Sequence, residues 1–177
     1  MPEADLVRNN LNIALDGKHA QSNLFGLYLA ADHQLIDNHT LVDHRVAECN
    51  SNEHYKGVLL GNAKAVFNGK IFVQKDAQKT NAFQQNNNLL LSEKAVIDSK
   101  PQLEIFADDV KCSHGATVGS LNAEALFYLR SRGIGETTAR NLLVNAFAFD
   151  ITNKIKSLPL KTHIEKLIRN YMSQLYD

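Results

Sequence analysis

The residues best suited to chemistry in this sequence are a cysteine and, two positions later, a histidine: Cys112 and His114. Residues two apart on a β-strand point to the same side, so Val110, Cys112 and His114 are expected to share one face if the chain is extended there. A thiolate and an imidazole are both ligands for transition metals. Cysteine is also among the most buried residue types, so the residues alone leave open an inert Cys112 with His114 in a turn.

A cysteine hydrolase is a second interpretation of the same pair. Cys112 would be the thiolate nucleophile and His114 the base. Residues two apart on one strand rarely give the required approach, and the sequence offers no third group to orient the histidine. Hydrolysis therefore stays an alternative to metal ligation.

The pair lies where the pattern of apolar residues changes. Before it, short apolar runs separated by Asn, Asp, Gly and Ser predict strands and turns, while from Ser120 onward the spacing is helical. We predict a first helix with Ser120 as its N-cap, ended by Gly133, and a second opened by Thr137 or Thr138. A third helix is predicted after Pro159, with one apolar face formed by Leu160, Ile164, Leu167, Ile168, Tyr171 and Leu175. The predicted domains are residues 1–119 and 120–177.

The predicted strands recur at intervals of about 30 residues. The apolar runs that begin at Val58, Ala65 and Ile71 are echoed at Leu89, Ala95 and Ile105, which is 31, 30 and 34 positions later. Short strands repeated at such intervals are typical of a β-solenoid, in which each turn stacks on the one below.

An antiparallel sheet is the competing interpretation. Asn68-Gly69 between two apolar runs is a strong signal for a two-residue hairpin, because both residues accept the positive φ of a type I′ turn. The corresponding segment, 98–101, is longer and contains a proline, and Asn-Gly also fits the left-handed corners of a solenoid. The pattern alone leaves both architectures open.

A second group of metal-binding residue types lies between Asp32 and Tyr55. It contains four histidines and a cysteine among several carboxylates, at positions His33, His39, His44, Cys49 and His54. Their spacing matches no compact zinc pattern, so we predict solvated turns at the ends of strands. The residues alone do not decide between a ligand role and a structural role for His44 and Cys49.

Composition excludes several classes of protein. The 177 residues carry 19 basic and 19 acidic side chains, so overall charge does not indicate nucleic-acid binding. No stretch approaches the roughly 20 apolar residues of a membrane span, and the N-terminus does not resemble a secretory signal. With only two cysteines, a disulfide framework is not expected, and a reducing cytoplasm is the predicted location.

One segment nevertheless resembles a DNA-binding motif. Gly133–Arg140, between two predicted helices, is similar to the hairpin of helix-hairpin-helix modules, in which backbone N–H groups approach phosphate. The part after residue 119 has eight Lys and Arg against five Asp and Glu, a small surplus for a duplex binder. DNA binding is therefore kept as an alternative function, and the glycines are interpreted as a helix stop and a tight turn.

The segment Lys111–Gly119, continuing into Leu126–Ile134, resembles the signature of the SufB/SufD family of iron–sulfur cluster assembly proteins, and the form Lys-Cys-Ser-His-Gly is closest to the SufD branch. The resemblance extends from about His39 to the C-terminus and includes Tyr55–Leu59. It departs at Val46–Glu48, where family members tend to have a proline. Members of the family are much longer, so the chain is expected to correspond to the C-terminal part of one.

The resemblance implies a mainly β fold with α: a right-handed parallel β-helix followed by a small C-terminal α-helical domain. It implies a non-catalytic scaffold component in which Cys112 and His114 match positions implicated in cluster assembly at the SufB–SufD contact. The implied partners are a SufB-like paralogue, a SufC-type ABC ATPase that docks on the C-terminal helices, or a second copy of the chain, and neither nucleic acid nor membrane. The implied cargo is a transient iron–sulfur cluster. No Walker A motif occurs, so no nucleotide is expected on this chain.

Overall fold

The computed structural model describes residues 4–174 as eight strands followed by three helices. The strands are β1 (Leu6–Leu15), β2 (Gln21–Ala30), β3 (Leu35–His44), β4 (Asn50–Leu59), β5 (Lys64–Val73), β6 (Asn81–Leu90), β7 (Val96–Ile105) and β8 (Lys111–Gly119). The helices are α1 (Ala123–Ser131), α2 (Glu136–Thr152) and α3 (Leu158–Gln174). Among the described residues, no helix is both long and apolar enough to cross a membrane.

The strands form two parallel sheets that face each other, with orders β1-β3-β5-β7 and β2-β4-β6-β8. Successive strands alternate between the sheets, so each pair makes one turn of a β-solenoid and eight strands make four turns. In β3, more buried and less buried residues alternate along the whole strand, which is the period of two that the sequence pattern indicated. The predicted β-solenoid followed by helices is confirmed.

The hydrogen-bonded register corrects two of the three predicted echoes. Val58 pairs with Leu89, as predicted. Ala65 pairs with Ile97 and Ile71 with Leu103, so the predicted echoes at 95 and 105 are each wrong by two residues. A shift of two residues leaves every side chain on the same face, so the apolar pattern could not distinguish the two registers.

The Asn68-Gly69 pair lies in the middle of β5, so it is neither a hairpin nor a corner of the solenoid. The left-handed positions between strands are instead Gly61 and four residues with side chains: His19, Asp32, Glu48 and Lys79, with φ between 55° and 64°. Local propensity favoured a turn at Asn68-Gly69, whereas stacking between the neighbouring strands β3 and β7 keeps this segment extended.

The helices pack on the outer face of the second sheet. Their buried residues Val144, Ala148, Ile168 and Met172 form one apolar cluster with Val58 of β4 and Leu89 of β6. Lys56, also on the outer face, reaches the end of α2: its Nζ donates to the Phe147 carbonyl at 2.9 Å and contacts Asp150 Oδ2 at 2.5 Å. The solenoid therefore holds the helices through an apolar cluster and one buried cation, Lys56.

The helix boundaries differ in detail from the sequence predictions. Asn122, and not Ser120, caps α1, because its side chain accepts from the Ala125 N–H at 2.9 Å. Gly133 follows α1 with a φ of 84°, as expected of a helix stop. Helix α2 begins at Glu136, ahead of the predicted threonines, and Pro159 is the second residue of α3, where a proline is tolerated. Leu175 lies outside the described residues.

Candidate functional site

Strand β8 is the last strand of its sheet and pairs only with β6 among the described residues. Its second edge therefore presents backbone N–H and C=O groups with no strand beside them. Such an edge is a template for pairing with another chain. Cys112 and His114 both lie on this strand, opposite Ala82 and Gln84 of β6.

Both side chains belong to the inner face of the solenoid. Their register partners Ala82 and Gln84 are buried at 0% and 2% exposure, and residues in register on neighbouring strands point to the same side. The prediction that Cys112 and His114 share a face is therefore confirmed. Val110 lies just before β8 and packs in the same apolar cluster as Cys112.

Cys112 is half-buried at the end of an apolar cluster that includes Ile71, Val73 and Ala107. Burial raises the pKa of its thiol, and a backbone hydrogen bond from Ala82 acts in the opposite direction. A raised pKa is the reverse of what an activated nucleophile needs. A soft metal could still bind here, because coordination itself displaces the thiol proton.

His114 is exposed at the end of the solenoid and stands above a cavity of about 280 Å³. The cavity is lined by Asn52, Glu53, Phe83, Gln84, Gln85, Ser113, His114 and Gly115. Glu53 pairs with Gln84, and Gln84 with His114, so the three residues form one column across β4, β6 and β8. Burial raises the pKa of Glu53, while the neighbouring Thr40 and Gln84 side chains lower it in part.

The described residues do not bring together a complete ligand set for a metal. Across residues 4–174, no group of three or more His, Cys, Asp or Glu side chains is placed to hold an ion. Cys112 and His114 would therefore supply two ligands, whereas tetrahedral zinc sites and iron–sulfur clusters usually take three or four from protein. The missing ligands would have to come from another molecule across the open edge of β8.

The histidines between Asp32 and Tyr55 do not converge on one site, and the prediction that all lie in solvated turns is wrong. His44 is completely buried in β3, with Nε2 2.9 Å from Ser51 Oγ, and burial lowers its pKa to about 4. His39 pairs with Asp37 at 2.9 Å and His54 with Asn87 at 3.0 Å. Only His33 lies in an exposed turn.

Cys49 is also buried, and its thiol points to the Gly17 carbonyl at 3.2 Å. Its neighbours form a small apolar cluster with Leu15 and Val42. Cys49 is therefore a packed structural residue. Both cysteines are free thiols.

A larger cavity, of about 880 Å³, lies between the first turns of the solenoid and helices α2 and α3. Its walls are mainly apolar and include Leu27, Ile36 and Ile168, and no cysteine or histidine lines it. It is remote in sequence and in sheet position from β8, so it does not extend the candidate metal site.

The helices expose a series of large apolar side chains. Those most exposed are Phe127, Tyr128, Leu142, Phe149, Leu158, Leu160 and Leu167, which we call the helical apolar surface. Leu160 and Leu167 belong to the predicted apolar face of α3 but are exposed, whereas Ile164 and Ile168 of the same face pack with Met172 against the sheet. Exposed apolar patches on a folded protein commonly mark docking sites.

In the segment that resembles a DNA-binding hairpin, Arg140 already forms an ion pair with a carboxylate, as does Arg130 just before the segment. Glu136 contacts Arg130 at 3.3 Å and Arg140 at 3.0 Å, and its carboxylate stands at the first turn of α2, where a phosphate would bind. This arrangement disfavours an incoming anion.

Sequence reasoning missed the buried pair Glu53 and Gln84. The signal was present, because Glu53, Gln84 and His114 are 31 and 30 residues apart and so follow the repeat of the second sheet.

Comparison with known proteins gives a consistent result. A family model described as the SufBD core domain of SUF-system FeS cluster assembly matches residues 2–147. The chain is 40% identical over 159 residues to the iron–sulfur cluster assembly protein SufD of Escherichia coli K12, covering 90% of this chain and 38% of that protein. A SufBD family protein of Synechocystis is 40% identical over 165 residues, and the chloroplastic protein ABCI7 of Arabidopsis thaliana is 32% identical over 170. These alignments cover 93% and 94% of this chain, and 36% and 35% of the two relatives, so the chain spans just over a third of their length.

Proposed function

Because this chain belongs to the SufBD core family of the SUF iron–sulfur cluster assembly system, we propose that it is a scaffold component that supplies half of a site for a nascent cluster. The observation that carries the proposal is the position of Cys112 and His114, on the inner face of a strand whose outer edge pairs with no other strand in the described part of the chain. The cluster is cargo here, held by the thiolate and a neutral imidazole nitrogen until it is passed on.

The remaining ligands come from a SufB-like paralogue that pairs with the edge of β8. Strand addition would bring a second chain within one strand spacing, about 4.8 Å, of Cys112 and His114. A second copy of this chain could use the same edge, giving a site with two thiolates and two imidazoles. Both arrangements would complete a set of four ligands, of which one chain supplies two.

Nucleotide hydrolysis belongs to another subunit in this proposal. The sequence has no Walker A motif, and a SufC-type ATPase would dock on the helical apolar surface. The chain itself carries no catalytic step. A reducing compartment such as the cytoplasm is its proposed location, since the Cys112 thiol must stay reduced to act as a ligand.

The proposed site is tested by anaerobic reconstitution with iron and sulfide, with SufB and SufC present, followed by ultraviolet–visible and Mössbauer spectra. We expect Cys112→Ala and His114→Ala to lose cluster signal while the complex still forms. Ser113→Ala is the matched control, because Ser113 lies between them on β8 and points to the opposite side. Equal cluster signal in all variants would leave Cys112 and His114 as structural residues.

The docking surface needs point variants. Deleting the chain after Ser120 would uncover the cluster around Val58 and Leu89 and endanger folding. Phe127→Ser and Leu158→Ser change exposed residues and should abolish capture of SufC in a pull-down. Phe106→Ser, which changes an exposed aromatic residue on the solenoid, is the control. SufC capture unaffected by the two helical variants would place docking elsewhere.

A further inference from the structure

The interior below His114 holds two buried polar side chains that the proposed function does not use. Gln84 and Glu53 occupy the same column as His114, one and two strands further into the solenoid, and are exposed by only 2% and 1%. All three line the cavity of about 280 Å³ at the end of the second sheet. Polar groups this buried normally have a hydrogen-bonding task.

The Gln84 amide is fixed from two sides. Its Nε2 donates to Glu53 Oε2 at 2.8 Å. Gly69, on the facing strand β5, leaves the space that the amide occupies, because a Cβ at Gly69 would lie 2.4 Å from Gln84 Nε2 and 2.7 Å from the Phe67 ring. A glycine at position 69, in the middle of β5, is thus explained by the space that the Gln84 side chain needs.

The Gln84 amide oxygen accepts no hydrogen bond from the described residues. Oε1 is buried and has no hydrogen-bond partner within residues 4–174. Since Nε2 is committed to Glu53 below, the next polar side chain in the column is His114 above. An imidazole that gives one nitrogen to a metal carries an N–H on the other, and this N–H usually requires an acceptor that fixes the ring.

We propose that Gln84 is a positioning residue for His114: its Oε1 accepts the imidazole N–H and so selects the tautomer that presents the other ring nitrogen at the open edge. Glu53 and Gly69 hold the amide in the required orientation. The use of the presented nitrogen as a ligand rests on the proposed function, whereas the hydrogen bond itself does not.

The test is nitrogen NMR of the chain labelled with ¹⁵N-histidine, at a pH near 8.5 where ordinary imidazoles are neutral. The His114 signals are assigned by their loss in His114→Ala. In the unchanged chain we expect one tautomer of His114 to dominate by about tenfold, and in Gln84→Met we expect the ratio seen for the exposed His33. Glu53→Gln keeps an acceptor for Gln84 Nε2 and should preserve the preference. An unchanged tautomer ratio in Gln84→Met would overturn the proposal.

A second variant and a zinc-binding measurement keep the proposal testable if Gln84→Met folds poorly. If Gln84→Met folds poorly because Glu53 loses its donor, the double variant Gln84→Met with Glu53→Met removes both polar groups and should show the same loss of preference. Zinc added as a probe should bind His114 with about 10- to 100-fold lower affinity in the Gln84 variants. Zinc affinity that is equal in the variants and the unchanged chain would contradict a positioning role.

Failure of this proposal and failure of the proposed function give different results. A tautomer preference that depends on Gln84, together with cluster signal that survives His114→Ala, would refute the cluster role and retain the positioning role. Cluster signal that depends on His114, with a tautomer ratio indifferent to Gln84, would refute only the positioning role.

Discussion

The contact between Lys56 and Asp150 predicts that two substitutions of one ion pair have unequal costs. Lys56 has a side chain only 7% exposed, whereas Asp150 is 61% exposed. Besides Asp150, the Lys56 ammonium contacts the Phe147 carbonyl and lies 4.4 Å from the centre of the Phe147 ring. Removing the carboxylate therefore leaves a buried cation with neutral partners, but removing the cation leaves a carboxylate that water can solvate.

The expected magnitudes follow from this asymmetry. A hydrogen bond to a charged group contributes roughly 1.5–3 kcal/mol, and screening of the exposed carboxylate favours the lower half of that range. We expect Asp150→Ala to lower the free energy of unfolding by about 2 kcal/mol. Lys56→Met loses the same bond but also removes the cost of burying an ammonium, so we expect a loss of about 1 kcal/mol or less.

The assay is urea unfolding of the unchanged chain, both single variants and the double variant, at pH 7 and at decreasing pH. The hydrogen bond from Lys56 holds the pKa of Asp150 below its ordinary value. The stabilisation is therefore present above the unfolded pKa, about 3.9, and is lost as pH falls through the lower folded value. The cost of Asp150→Ala should shrink over that window. The reasoning is refuted if Lys56→Met costs as much as Asp150→Ala at pH 7, or if the cost of Asp150→Ala does not change in acid.

Three further predictions concern the interior. Because burial raises the pKa of the Cys112 thiol, its alkylation by iodoacetamide, followed by mass spectrometry, should be slow at pH 7, accelerate with pH and be unchanged in His114→Ala; fast labelling that needs His114 would support the nucleophile interpretation. Burial lowers the pKa of His44 from 6.5 to about 4, so His44 binds its proton more readily in the unfolded chain, and the free energy of unfolding should fall as the pH is lowered from 6.5 to 4. In urea titrations, His44→Gln should make the free energy of unfolding depend less on pH over this range. Equal dependence on pH in the variant and the unchanged chain would contradict this. A Cβ on Gly57 would lie 2.3 Å from an aromatic ring, so Gly57→Ala should cost about 1–3 kcal/mol, while Gly17→Ala, with no atom within 4 Å, should cost less than about 0.5 kcal/mol; equal melting temperatures would be incompatible with the packing.

The strands could be predicted from the sequence, but their exact stacking could not. Alternation of apolar residues identifies a strand locally, and it places Cys112 and His114 on one face without knowledge of the neighbours. Register depends on contacts between residues about 30 positions apart, and Ala65 pairs two residues away from its predicted echo. The same limit explains the error at Asn68-Gly69, whose hairpin propensity is local while the space it leaves for Gln84 is not.

The site was predictable only in part for the same reason. The Cys112 and His114 pair is visible as a spacing of two on one strand. Glu53 and Gln84 gain their meaning from stacking beneath His114, which is visible only with the correct register. His44 is misjudged by composition, because a histidine between polar residues gives no sign that its strand is buried on the inner side.

The end of the solenoid explains why the candidate site is incomplete in one chain. Inside the stack, each inward polar group has a strand above and below it and must find its partner there, as Gln84 does with Glu53. Among the described residues, β8 has no strand on one side, so under the proposed function Cys112 and His114 are free to bond to a chain that pairs with that edge. In the proposed function, pairing of a second chain and completion of the ligand set are therefore one event. Each should stabilise the other, so cluster-forming conditions should tighten the complex in proportion to the preference of the cluster for the paired state.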